Sequence, residues 1–172
     1  MFDPTIFDNL KVVFEGAMYD LDLGGSVQIV NRLDRVELST MSRSFSMEAV
    51  RRPGGVVKGS FVLTASLADL SAELLAEPGK QPGCSLELAF TFPVSDIDKD
   101  CAEAEQLMRS IWGEGPVIRQ TVHTAYGEQP RQLRNHLTVH FVRKLDERQI
   151  EDIPSLLEHM ESSMEQLDQS FR

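Results

Sequence analysis

The stretch "SLELAFTF", Ser85 to Phe92, sets Leu86, Leu88, Phe90 and Phe92 in strict alternation with Glu87, Ala89 and Thr91. A period of two places the four apolar side chains on one face of a β-strand and leaves the other face largely wet. A strand buried on both faces would be apolar throughout, as in a parallel sheet covered by helices on each side. One wet face argues for an antiparallel sheet with its helices on a single side.

Downstream, Ser95 can cap a helix whose apolar stripe runs Ile97, Cys101, Ala104, Met108, Ile111 and which Gly113 with Gly115 stops. "PVIRQTVHTAY" and "RNHLTVHFVRKL", joined by "GEQP", read as a hairpin. Finally Ile153, Leu157, Met160, Met164, Leu167 and Phe171 recur at steps of four and three, with Glu158, Glu161, Glu165 and Asp168 off the stripe. Pro154 fits only the first turn of such a helix, so it starts near Asp152, and Asp146 to Glu151 form a separate turn.

Upstream, "EPGKQPG" is a loop, and Ser66 three residues before Asp69 opens a helix with Leu67, Leu70 and Leu74 at helical spacing. "VVKGSFVLTASL" reads as a strand behind the break Pro53-Gly54-Gly55. "RVELSTMSRSFSMEAV" alternates in two runs whose phase changes near Met41, as one long strand with a bulge would. "NRLD" reads as a turn and "SVQIV" as a strand. "LKVVFEGAMYDLDL" alternates Leu10, Val12, Phe14 and ends at Gly24-Gly25, which predicts a first strand and a tight turn. Asp3-Pro4 predicts one helical turn over residues 4 to 8.

The expected fold is therefore α+β in one domain spanning 1–172. It has a largely antiparallel sheet of about seven strands, beginning with a four-strand meander. Three helices pack on the sheet, the last being the amphipathic C-terminal one.

The 172-residue chain is 41% hydrophobic and 26% charged, within the range of a domain with a real core. A net charge of −10 repels phosphate backbones and anionic membranes, so neither nucleic acid nor a membrane is an expected partner. No apolar run approaches the ~20 residues that span a bilayer, and "MFDPTIFDNL" lacks a basic n-region and an apolar h-region. The expected compartment is the cytoplasm. Gly24 to Ser60 carries six basic residues against three acidic, and Leu145 to Arg172 carries eight acidic against two basic.

Each motif meets a physical objection. His136 and His140 have the spacing of a helical zinc pair, but on a strand a rise of ~3.3 Å per residue sets them about 13 Å apart, too far for one ion. The β-branched and aromatic residues around them favour strand. His123, on the other strand of the hairpin, stands near one of them. Asp96, Asp98 and Asp100 match the start of a calcium loop, but Cys101 stands where glycine is needed and Leu107 where glutamate is. Cys84 and Cys101 form neither a CxxC pair nor a zinc knuckle, and read as buried thiols.

Arg51, Arg52 and Lys58 gather around a glycine turn, where cations and backbone amides can receive an anion or an acidic partner. No GxSxG, Ser-x-x-Lys or GxGxxG is present, so no catalytic residue, cofactor site or metal site is assigned.

The function these features favour is a non-enzymatic cytoplasmic interaction or regulatory module, homodimeric through a sheet edge or the terminal helix. Packing of the terminal stripe on the protein's own sheet competes with the second route, because its flanking charges are almost all acidic. The alternative is a small-molecule-binding protein or enzyme with a pocket between sheet and helices, and Trp112, Tyr126 or the basic hairpin at its mouth.

Overall fold

A computed structural model describes residues 5–172. It contains an α+β fold, with six strands in the order β1-β2-β3-β4-β6-β5, every neighbouring pair antiparallel. The strands are β1 (Val27–Glu37), β2 (Ser42–Arg51), β3 (Lys58–Ala65), β4 (Ser85–Val94), β5 (Val117–His123) and β6 (Leu133–His140). The helices are α1 (Thr5–Leu23), α2 (Leu67–Leu75), α3 (Ile97–Trp112) and α4 (Ile153–Ser170), the last preceded by a 3-10 turn over Glu147–Asp152. β4 behaves as its alternation predicts, with Leu86, Leu88, Phe90 and Phe92 buried in the centre of the sheet.

The largest departure from the sequence reading is at the N-terminus. "LKVVFEGAMYDLDL" is not a strand but most of α1, which buries Phe7, Leu10, Phe14 and Met18 at steps of three, four and four. Gly25, at φ +83°, ends it: the Gly25 N–H bonds to Asp22 O and the Ser26 N–H to Leu21 O, the two bonds of a Schellman stop. The Asp3-Pro4 cap lies outside the described residues. The opening meander therefore has three strands, and the sheet six.

"NRLD" is not a turn but the middle of β1. The bulge falls at Val30, where the register shifts between Ile29 and Asn31, and the phase change near Met41 is the β1–β2 turn, with Met41 at φ +53°. In α3 the capping side chain is Asp96 rather than Ser95. The Ser66–Asp69 capping box of α2 and the start of α4 at Ile153 lie where the spacing puts them.

α1 packs against β1 to β3, α4 against β2 to β4, and α3 against β4 and β5, all on one face of the sheet. Between them lies one core, with Phe14 against Phe61 at 4.9 Å, Phe45 against Phe61 at 5.8 Å and Phe92 stacked on Phe171 at 4.8 Å. α4 comes close to β3 because Gly59 has no side chain: a Cβ there would stand 2.5 Å from Met164 Sδ. The opposite face carries rows such as Gln28, Val50, Lys58, Thr91, His136 and Thr121, read across the six strands from the pairing register. Among the described residues, no helix is long and apolar enough to cross a membrane.

Candidate functional site

The pairing register gives the sheet two distinct ends. Val36 with Arg43, Arg43 with Ala65, Thr64 with Ser85, and Glu87 with His140 mark one of them. At this end lie the β1–β2 turn, α2 and the residues that follow β6. Here Leu38, Met41, Leu67, Leu74, Leu75 and Val142 are exposed, all six outside the strands. The carboxylate of Asp69 on α2 binds Lys144 of the segment after β6, which joins α2 to that segment.

A recess of about 430 Å³ opens at the same end, lined by Leu86, Trp112, Gly115, Pro116, Phe141, Val142, Arg143, Leu145 and Leu156. Its parts come from four places in the chain, and each is fixed. Beyond β6 the chain stays paired to β4's entrance: Phe141 N–H donates to Leu86 O, and Cys84 and Leu145 exchange bonds of 2.8 and 2.9 Å. Arg109 on α3 donates to Pro116 O at 2.8 Å, which pins the loop after α3. The Trp112 ring meets Phe141 edge-on at 5.5 Å, and its Nε1–H donates to Ser163 Oγ at 3.0 Å on α4. Ser163 Oγ in turn donates to His159 O.

The lining holds one charged group, Arg143, and no carboxylate, imidazole, hydroxyl or thiol. Such walls bind apolar matter; they offer no nucleophile and no general base.

The residues singled out from sequence lie elsewhere. Arg51, Arg52 and Lys58 do not converge: Arg51 pairs with Glu165 of α4 at 3.2 Å, Arg52 with Asp22 of α1 at 3.4 Å, and Lys58 with Glu48 at 3.7 Å. The loop they flank is held by Asp168, whose Oδ1 accepts the Val56 and Val57 N–H groups at 2.7 and 3.0 Å. Asp168, read from sequence as off the buried stripe, is 1% exposed.

His136 and His140 share the open face of β6; His136 lies beside Thr91 and 6.3 Å, ring to ring, from His123, while His140 lies near Glu87. Among the described residues, no three His, Cys, Asp or Glu side chains are grouped as a metal site. Both cysteines are free. Tyr126 is fully exposed in the β5–β6 connection, at the opposite end from the recess.

Sequence reasoning found Trp112 and missed the rest of the recess. For α2 a signal existed: leucine at 67, 70, 74 and 75 surrounds a nine-residue helix, more than one buried face can use. Leu70 is buried, whereas Leu67, Leu74 and Leu75 are 47%, 67% and 68% exposed. Comparison of the chain with protein-family models, with curated proteins and with solved structures finds no match.

Proposed function

We propose that the protein is a non-enzymatic interaction module, and that the leucine face of α2 is its contact surface for a second copy of the chain. The observation that carries this reading is the outward position of Leu67, Leu74 and Leu75 on a helix whose N-terminus is held by the Ser66–Asp69 capping box. A helix that exposes three leucines gains from covering them.

Charge favours a second copy despite the net −10. Every carboxylate of α2 and of the loop behind it is engaged within the chain: Asp69 with Lys144, Glu73 with the Ile6 N–H, and Glu77 with Lys80. Two α2 faces related by a two-fold axis therefore meet as apolar surfaces with little local repulsion. Two other routes are less open. The α4 stripe is buried on the sheet, and the β1 edge carries a bulge and the charges of Arg32, Asp34, Arg35 and Glu37, features that discourage strand addition. The two free thiols fit a reducing compartment such as the cytoplasm.

Light scattering across a wide protein concentration range tests the reading. The wild-type chain should pass from monomer to dimer, and Leu74→Glu combined with Leu75→Glu should stay monomeric with an unchanged circular dichroism spectrum. A wild-type chain that is monomeric throughout, or a variant that dimerises equally well, overturns it. A small-molecule site is the second reading, and the Trp112 recess favours it.

A further inference from the structure

We propose that the recess beside Trp112 binds a small apolar monocarboxylate, its hydrocarbon body against Trp112, Phe141 and Leu156 and its carboxylate on Arg143. The volume, about 430 Å³, falls in the lower part of the ~300–1,000 Å³ range of small-molecule sites, which suits a medium-sized acid. Several polar groups of the wall are already satisfied. Trp112 Nε1–H is given to Ser163, the Phe141 and Leu145 N–H groups to Leu86 and Cys84, and Pro116 O accepts from Arg109. A highly polar guest would lose its hydration to apolar side chains and gain few partners.

Arg143 is the exception, and it selects the sign of the guest's charge. Among the described residues it makes no hydrogen bond or ion pair, although the chain has an excess of carboxylates. Asp146, the carboxylate on which its charge acts at longer range, is itself held by a two-point contact with Arg148. A guanidinium with a free fork beside an apolar wall matches a carboxylate on a hydrocarbon body. Neither a polyanion nor a simple cation fits that combination.

This site is separate from the α2 contact, and its test does not depend on oligomeric state. Trp112 is the only tryptophan of the chain, so its fluorescence reads the recess directly. The full-length protein is titrated below micelle formation with decanoate, with decanol and with acetate. Decanoate should give a saturable change and acetate none, and decanol should bind at least about tenfold more weakly, since a charge-assisted contact separates the two. Arg143→Gln should bring decanoate and decanol to equal affinity. Arg148→Gln, outside the recess, should keep the preference for the acid. The absence of a saturable change with decanoate overturns the proposal, as does decanol binding as tightly as decanoate, or a preference for the acid that survives Arg143→Gln.

Discussion

Asp69 shows how much one side chain can be asked to do. It is buried, it completes the capping box of α2 by accepting from the Ser66 N–H at 2.9 Å and the Ser66 hydroxyl at 2.7 Å, and it binds Lys144 of the segment after β6. Burial pushes its carboxyl pKa up, but the contacts with Lys144 and Ser66 outweigh burial and hold it below the usual carboxylate value. The folded protein therefore takes up this proton less readily than the unfolded chain. The stabilisation is complete above the unfolded pKa of about 4 and is lost as the pH falls through the lower, folded value.

Asp69→Asn should cost about 2 kcal/mol at neutral pH, where the Lys144 contact and part of the cap are lost. The cost should shrink as the pH drops below the ordinary carboxylate range. Urea midpoints of both proteins across that range measure this, and parallel acid limbs would assign the titration to other groups. The neighbouring thiol gives a second outcome. Burial, with the charges of Asp69 and Glu73 adding to it, pushes Cys84 up to about 12. At pH 8 an alkylating reagent should modify Cys84 only as fast as the protein unfolds. Mass mapping of the labelled peptides separates it from the partly exposed Cys101, whose prior modification while Cys84 stays unlabelled is the expected order.

At the scale of elements, legibility followed how distinctive each local pattern was. β4 and α4 were readable because strict alternation in one, and four-and-three steps in the other, each fit a single period over their whole length. α1 was not, because Leu10, Val12 and Phe14 satisfy a period of two while Phe7, Leu10, Phe14 and Met18 satisfy a helix. Val12 decides between them, being 66% exposed where a strand would have buried it beside Leu10. Leu10→Ala should then cost about 3 kcal/mol, and Val12→Ser should stay within roughly 0.5 kcal/mol of wild type. Equal losses from the two substitutions, measured by denaturant unfolding, would restore the strand.

The bulge at Val30 and the turn at Met41 were exchanged for a related reason: both shift the phase of an alternating pattern, and only pairing tells them apart. The recess was legible at Trp112 alone. Phe141, Arg143 and Leu156 reach it from other parts of the chain, and spatial assembly leaves no local spacing to read.

For the whole molecule, charge and apolar surface are distributed differently, and salt separates their effects. Acidic residues are spread over the three sheet-packed helices, four each on α1, α3 and α4, whereas the exposed leucines of α2 occupy one end of the sheet. Two copies meeting through α2 gain from apolar burial and are opposed by the long-range repulsion of two bodies of charge −10. Screening weakens the repulsion and leaves the apolar gain nearly untouched. As the ionic strength rises from 0.01 to 0.15 M the Debye length falls from about 30 Å to about 8 Å, so a dimer through α2 should tighten.

Copies meeting through Arg51, Arg52 and Lys58 of one and the acidic α4 of the other would show the opposite sign, because screening would remove the attraction that joins them. Exchange of partners would first have to break the internal pairs with Glu165, Asp22 and Glu48. The slope of the dimer dissociation constant against salt, measured by sedimentation, therefore identifies the face. A constant that falls with added salt and is abolished by Leu74→Glu with Leu75→Glu assigns association to α2; one that rises with salt and survives those substitutions assigns it to the basic loop.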